Sequence, residues 1–344
     1  MPDVFEKFFE LFGKKVSDYY ELKRLDPAYR IWFGPNDFVD LSPDYEKVRM
    51  LFNRLEENGA EKLDRYLEQA GYQYQIAIDK FIYKSYKSWT DLIDRDLMLN
   101  GMKLQVFGSI GDLAAKYFKN PQARKILLYT IVFLGGSPKV TPALYSIMSH
   151  IDFKLGVWYP MGGITQVAQG IQKLGEEYGV KYKFNVDVEK INVKNSRVAS
   201  VTTNKGEIKC DLVLANADYH HVEANLLEKH YRNYSEKYWD KRVMAPSAVM
   251  MYLGINKKIK NLAHHTLFFD SDWTKDFDSI FSKPDWPDQP SFYLCAPSKT
   301  DSAISPKDME SLFVLIPVAS GLKDTEERKE LYYNQVMERL EMLT

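Results

Sequence analysis

The sequence predicts an α/β fold, because helix-forming and strand-forming patterns occupy separate stretches of its 344 residues. Apolar residues recur at helical spacing over much of residues 1–159. From residue 181 onward apolar and polar residues alternate, as they do in strands that bury one face. Further strand-like runs extend to residue 317, and helical spacing returns from 323 to 343.

The first part of the chain is predicted to be mainly helical. Four phenylalanines at helical spacing predict a short amphipathic helix: Phe5, Phe8, Phe9 and Phe12. That apolar stripe is typical of a core-facing helix, and it also suits a helix that dips into a membrane interface. A long helix is predicted over 63–81, and further helices are predicted over 104–118, 121–134 and 141–150.

A Pro-x-Gly-Gly turn at 160–163 precedes a predicted helix that begins at Ile164 and ends at Gly179. The segment from 181 to 218 then predicts a β-meander, with turns at 195–196 and 205–206. Its last run, LVLANA, is apolar, which predicts a strand buried on both faces. Asn216, Ala217 and Asp218 predict a turn after that strand.

The remaining elements are shorter. A helix is predicted near 219–228, strands near 247–254, 266–269, 291–295 and 311–317, and a final helix over 323–343.

Composition excludes several classes of protein. A net charge of −1 gives no bulk attraction for nucleic acid, so we expect no nucleic-acid partner. Cys210 and Cys295 are far apart, so we expect neither a disulfide framework nor a zinc ribbon, and a cytoplasmic location fits. The longest apolar run, 126–136, is too short to span a bilayer, so membrane contact would be peripheral. The 14% aromatic content suits a Tyr-rich core or a pocket for a large apolar ligand.

Common catalytic motifs are missing from the printed sequence. It has no G-x-G-x-x-G, P-loop, H-x-x-x-H or G-x-S-x-G. Histidines occur as neighbours at 220–221 and 264–265. Adjacent side chains point in different directions, so we expect no shared metal and assign no metal ligand.

Three motifs in a fixed order carry a resemblance to a known family: PMGG at 160–163, Val188 within NVDVEKI, and NAD at 216–218. Similar segments flank them, including DYYELKRLDPAYRIWF, FLGGSPKVTPALYSIMSH, SAVMMYLGIN, LAHHTLFF and SFYLCAPSKTDSAISP. Together they resemble the phytoene desaturase, or carotenoid desaturase, branch of the FAD-dependent amine-oxidase-like superfamily. The resemblance covers nearly the whole chain, and the order of its parts is what makes it specific.

The resemblance implies the remainder of an FAD/NAD(P)-binding-like domain, interleaved with a helical-plus-sheet substrate domain. On that basis 1–159 is a mainly helical substrate and membrane-associated region, and 160–243 is the flavin-domain remainder with its meander. Residues 244–320 form the substrate-domain sheet, and 321–344 form a helix cut off at the chain end. Because the family's phosphate-binding loop and closing Gly-rich segment are missing, we expect a chain truncated at both ends.

The activity implied is FAD-dependent desaturation in carotenoid biosynthesis, with hydride transfer from a long apolar polyene to the flavin. One alternative is a carotenoid isomerase or retinoid saturase that uses reduced FAD. Another is an inactive or lipid-binding fragment that lacks the dinucleotide-binding loop.

The resemblance also implies site residues. The cofactor-binding candidates are Gly162, Gly163, Val188, Asn216, Ala217 and Asp218. The substrate-binding candidates are Ser247, Met250, Met251, His264 and His265. A strand-end backbone at Val188 can pair with adenine whatever its side chain, and methionines adapt to a long apolar ligand. Asp94 and Asp96 lie where the family has been suspected of placing acid/base groups, but solvated helix charges are the simpler interpretation, and no catalytic residue is assigned.

Overall fold

The computed structural model describes residues 2–83, 85, 88, 108–133 and 136–344. The chain divides into two compact units. The larger unit comprises Met1–Ile171 and Ala245–Thr344, and the smaller comprises Gln172–Met244. The four-part division implied by the resemblance stays a prediction.

The strands of the described residues, in chain order, are β1 (Leu22–Arg24), β2 (Tyr29–Gly34), β3 (Asp37–Leu41), β4 (Trp158–Pro160), β5 (Val188–Lys194), β6 (Arg197–Thr203), β7 (Gly206–Lys209), β8 (Ser247–Ile255), β9 (His265–Phe268), β10 (Phe292–Cys295) and β11 (Glu310–Val318). The larger unit has a six-stranded sheet in the order β3-β2-β9-β10-β11-β8. Strands β2 and β9 run parallel, and the other neighbours run antiparallel. A separate antiparallel pair joins β1 to β4.

In the described part of the larger unit, the α-helices are Pro2–Glu10, Tyr45–Leu55, Gly59–Ile76, Ile110–Tyr117, Pro121–Phe133, Ile147–His150, Trp273–Phe277 and Glu326–Leu343. The helix Ile147–His150 continues as a π-helical turn over Ile151–Leu155. The helix Thr165–Glu177 crosses from the larger unit into the smaller, which also contains Tyr219–His221 and Glu236–Trp239.

Two hydrophobic cores lie on opposite faces of the six-stranded sheet. On one face, Ile31 and Leu267 pack with residues of the helices between 45 and 133. On the other face, Leu312, Val314 and Ile316 pack against the final helix. Alternate residues of β11 are buried on this second face, because successive side chains of a strand point to opposite sides.

Four predicted strands, β8 to β11, form close to their predicted positions, and the final helix does too. Strands β1, β2 and β3 lie in the part predicted as mainly helical. Strand β2 is short, and its neighbour in the sheet, β9, is more than two hundred residues away in sequence. Local periodicity does not reveal such a pairing, since it depends on tertiary contact.

The meander of the smaller unit consists of β5, β6 and β7, with left-handed Asn195 and Ser196 in its first turn. It begins at Val188, so the predicted start of the meander at residue 181 is wrong, and residues 181–187 form no strand. The LVLANA strand is wrong as well, because Leu212 is 81% exposed, Leu214 is 93% exposed, and neither lies in a strand. An apolar run forms a buried strand only beside partner strands, and no described residue pairs with this one.

The helix Pro2–Glu10 directs part of its phenylalanine stripe into the core. Phe9 is fully buried against Tyr19 and Tyr20, whereas Phe12 beyond the helix end is 37% exposed. Across the described ranges, none of the helices combines the length and the apolar character needed to cross a membrane.

Candidate functional site

The Pro-x-Gly-Gly turn adopts a backbone that favours glycine. Gly162 has φ of +88° and Gly163 has φ of +92°, in the region that L side chains rarely occupy. The Gly163 N–H donates a 2.9 Å hydrogen bond to the Pro160 carbonyl, which closes the turn. A Cβ on Gly162 would lie 2.9 Å from Gln166 Cγ at the start of the following helix. Both glycines are therefore required by the local geometry.

A buried aspartate holds this turn from a distant part of the chain. Asp301 is 4% exposed, and its Oδ2 accepts a 2.6 Å hydrogen bond from the Gly162 N–H. Its Oδ1 accepts a 2.9 Å bond from the Ala303 N–H. The sequence interpretation missed Asp301, although its segment SKTDSAISP was among those that carried the resemblance.

Tyr159 and His264 lie beside the turn. Their rings are 4.6 Å apart, and a Cβ on Gly163 would lie 3.9 Å from the Tyr159 hydroxyl. Burial, together with the nearby Asp301 carboxylate, raises the pKa of Tyr159 to about 12. That hydroxyl makes no hydrogen bond of standard geometry within the described residues. The predicted cofactor residue Gly163 and the predicted substrate residue His264 are thus brought to one place.

His264 is held as a neutral imidazole. Its Nδ1 lies 2.7 Å from Thr300 Oγ1, and burial lowers its pKa to about 4. The charged form is disfavoured because a buried cation loses its hydration.

A second group of rings lies across the sheet face that carries the helices. His265 Nδ1 is 2.6 Å from the Tyr293 hydroxyl, Tyr29 stacks on His265 at 5.0 Å, and Tyr129 lies 4.9 Å from Tyr29. We call Tyr29, Tyr129, His265 and Tyr293 the tyrosine–histidine cluster. Burial lowers the pKa of His265 to about 3 and raises the pKa of each tyrosine. The cluster is therefore uncharged at neutral pH.

One carboxyl group adjoins this cluster. Asp152, in the turn Ile151–Leu155, accepts a 2.6 Å hydrogen bond from the Tyr129 hydroxyl. Burial raises the pKa of Asp152 to about 6, because desolvation disfavours the carboxylate. Its carboxyl group therefore changes charge near neutral pH.

Two adjoining apolar pockets lead away from the cluster. The first, a cavity of about 20 Å³, is lined by Tyr129, Tyr293, Leu267, Leu315, Phe269 and Pro317 among others. The second, also of about 20 Å³, shares Phe269 and Pro317 with it and continues past Trp273 and Ile280. Their apolar lining suits a ligand without polar groups, and to admit a long one the lining side chains must move apart.

The predicted substrate residues of β8 divide between the two faces of the sheet. Met250 is paired with Leu315, so it lies on the face of the first pocket, and it is 39% exposed. Met251 lies on the opposite face, against the core under the final helix. Ser247 is exposed and paired with Val318 at the strand end. The two methionines therefore cannot line the same surface of the sheet.

Four predicted cofactor residues lie in the smaller unit. Val188 is the first residue of β5, is paired with Thr203 and is 42% exposed. Asn216 and Ala217 are exposed, and Asp218 caps the helix Tyr219–His221 by accepting a 2.8 Å bond from the His221 N–H. Their cofactor role stays a prediction.

Asp94 and Asp96 lie outside the described residues.

Among the described residues, His264, His265 and Cys295 place three potential ligand atoms within 4.8 Å of one another. The argument that adjacent histidines cannot approach one ion is therefore wrong here. Burial raises the pKa of the Cys295 thiol to about 11, so the thiol is protonated at neutral pH. The absence of a metal stays a prediction.

Comparison with known proteins identifies the family. Residues 6–343 match the family model described as flavin containing amine oxidoreductase. The chain belongs to this family. A carotenoid 3,4-desaturase of Haloarcula japonica is 43% identical over 98% of this chain and 68% of its own length. A 4,4'-diapophytoene desaturase of Staphylococcus haemolyticus is 32% identical over 100% of this chain and 71% of its own length.

Solved structures support the fold. A protein from Pyrococcus furiosus has a TM-score of 0.57 at 12% identity, over 97% of this chain and 68% of its own. Reduced UDP-galactopyranose mutase has a TM-score of 0.50 at 12% identity, over 94% of this chain and 63% of its own. The predicted α/β class, the resemblance to carotenoid desaturases and the assignment as a flavin-dependent oxidoreductase are confirmed. Neither relative is named as an isomerase or a saturase, and these comparisons give those alternatives and the inactive fragment no support.

The described residues fit a flavin beside the Gly-Gly turn. Gly162 and Gly163 allow close approach of a ligand to backbone, and a Cβ on Gly163 would lie 3.9 Å from the Tyr159 hydroxyl. That hydroxyl, beside the Asp301 carboxylate, would lie next to a polar edge of the cofactor.

Proposed function

We propose that this chain forms the substrate side of an FAD-dependent carotenoid desaturase in carotenoid biosynthesis. The carrying observation is the pair of apolar pockets that end at the uncharged tyrosine–histidine cluster, next to the Gly-Gly turn. The desaturase names of the two relatives support this reading. The substrate class is a long apolar polyene.

The bound FAD would supply the acceptor for a hydride taken from the polyene. The chain's residues would shape the passage for the polyene and exclude water from it. Because a polyene has no polar group that could form a hydrogen bond, van der Waals contacts with residues such as Leu267, Leu315 and Pro317 must determine its position. Neutral His264 and His265 would border the reacting carbons without adding charge to an apolar passage.

For the cofactor, we propose Gly162 and Gly163 near the reacting ring and the backbone of Val188 at the adenine. Asn216, Ala217 and Asp218 would pass close to the cofactor, and the small Ala217 side chain favours such an approach. The position of Val188 at the start of the edge strand β5 supports its part, because an edge strand can offer backbone groups to a ligand.

Peripheral membrane contact and a cytoplasmic location are also proposed. A polyene dissolves in lipid, so a passage for it must reach the bilayer. Leu11 and Phe12, exposed beyond the helix Pro2–Glu10, are candidate contacts. Flotation of the protein with liposomes tests this, and protein that stays wholly in the soluble fraction contradicts it.

The decisive experiment reconstitutes a longer protein that contains this chain, called here the parent protein, with FAD and liposomes that carry one polyene at a time. The panel comprises phytoene, 4,4'-diapophytoene and a carotenoid with a saturated 3,4 bond. We expect absorbance to move to longer wavelength with at least one of them, as conjugation lengthens. A matched reaction without FAD is the control. Isomerised or saturated products from reduced FAD would support the alternative activity, and no reaction with any polyene would refute the proposal.

A further inference from the structure

Asp152 occupies a position between two pockets of the larger unit. It lines a pocket of about 190 Å³ together with Tyr29, Trp158 and Pro160, and Pro160 leads directly into the Gly-Gly turn. Its hydrogen-bond partner Tyr129 lines the apolar pocket on the sheet face. One tyrosine–carboxyl pair therefore reaches both the proposed polyene passage and the approach to the cofactor turn.

Other carboxyl groups near these pockets have different tasks. Asp301 is occupied by the N–H groups of Gly162 and Ala303. Asp276 accepts bonds from Ser271 and from both the N–H and the hydroxyl of Ser291. Tyr129 donates a hydrogen bond to Oδ2 of Asp152, and the same carboxyl group lines a pocket.

We propose that Asp152 accepts the proton released in the reaction, and that Tyr129 positions its carboxyl group; this rests on the proposed desaturase function. Two C–H bonds on adjacent carbons break. One hydrogen leaves as a hydride to oxidised flavin, and the other leaves as a proton to Asp152. The electron pair left behind forms the new C=C bond, so atoms and electrons balance.

The surroundings of Asp152 suit a base that works near neutral pH. Tyr129 faces it from the helix Pro121–Phe133, and Tyr29 faces it from β2. Burial dominates and raises the pKa to about 6. A general base is most effective when its pKa lies near the working pH.

The test compares Asp152→Asn with wild type in the flavin-loaded parent protein. We expect polyene-dependent bleaching of the flavin in a single turnover to slow by about 100-fold or more. Wild type should lose rate below pH 6, and the residual rate of the variant should not. Flavin content should be unchanged, because Asp152 is not assigned to cofactor binding.

The matched control is Asp64→Asn. Asp64 also accepts a 2.6 Å hydrogen bond from a tyrosine, Tyr45, but it lies on the outer helices and is not assigned to either pocket. This variant should keep the wild-type rate and pH profile. Tyr129→Phe should shift the acidic limb of the pH–rate profile to higher pH, because the variant loses the hydrogen bond that stabilises the Asp152 carboxylate.

Infrared difference spectroscopy between pH 5 and pH 7 gives a readout that does not depend on turnover. We expect the parent protein to show the band of a protonated carboxyl group at the lower pH, and we expect Asp152→Asn to lack this band. No such band in the parent overturns the assignment. An active parent whose Asp152→Asn and Tyr129→Phe variants keep the wild-type pH profile overturns it while leaving the desaturase function in place. A parent inactive with every polyene overturns both. If Asp152→Asn does not fold, Asp152→Glu and Tyr129→Phe decide by the same criterion.

Discussion

Replacing Asp301 tests whether the Gly-Gly turn is held from the sheet side. Asp301→Ala removes the acceptor of two N–H groups, at 2.6 Å from Gly162 and 2.9 Å from Ala303. A hydrogen bond to a charged group contributes about 1.5–3 kcal/mol. Gly162 and Ala303 are both exposed residues and both hydrogen bonds are partly buried, so water replaces part of each lost interaction. We therefore expect about 2–3 kcal/mol of destabilisation, shared between the two hydrogen bonds.

Urea unfolding followed by circular dichroism measures this loss. Asp301→Asn keeps one acceptor oxygen and should cost about 1 kcal/mol. Ser302→Ala, at an exposed neighbouring position, is the control and should change stability by less than about 0.5 kcal/mol. In the parent protein, flavin content should fall in Asp301→Ala and remain normal in Ser302→Ala. If Asp301→Ala unfolds at the wild-type urea concentration and retains full flavin, the turn does not depend on this carboxylate.

Three further outcomes are expected. Gly163→Ala should lower flavin content, because φ of +92° costs an L-residue about 1–2 kcal/mol; full flavin occupancy would contradict this. Met251→Trp should destabilise the protein by about 1–3 kcal/mol, because Met251 packs against the core under the final helix. Met250→Trp should leave stability unchanged and shift the polyene products, because Met250 lies on the opposite face of the sheet. Equal effects of the two substitutions on stability would refute the division between sheet faces. Burial lowers the pKa of His264 in the folded protein to about 4. Between pH 6.5 and pH 4 the unfolded chain therefore binds a proton at this histidine and the folded chain does not, so the free energy of unfolding should fall as the pH drops through this range. His264→Gln should flatten this slope in urea titrations at stepped pH, and an unchanged slope would count against the buried neutral imidazole.

Much of the fold could be predicted because its signals are local. The turn at Asn195 and Ser196 uses residues that tolerate a left-handed backbone, and the structure places both there. Gly179, also left-handed, follows the helix Thr165–Glu177 as its sequence position predicted. The strands from β8 to β11 follow from their apolar and β-branched residues.

The candidate site was only partly predictable. Gly162, Gly163, His264 and His265 were singled out through the family resemblance, and the structure brings these four into one region of the larger unit. Asp301 was missed because it acts through a single hydrogen bond that spans 139 residues of sequence. The residues around Asp301 in the sequence do not indicate that its carboxylate is buried.

The sequence by itself determined the elements whose stability rests on neighbours a few residues away: amphipathic helices, the meander turns and the glycine-dependent turn after Pro160. Tertiary structure alone decided which separate stretches meet. The parallel pairing of β2 with β9 brings Tyr29 onto His265, and the approach of the helix Pro121–Phe133 brings Tyr129 onto Asp152. It also decided that LVLANA is exposed. Burial, and with it the pKa of a group such as Asp152, depends on which surfaces pack together, and a one-dimensional pattern does not carry that information.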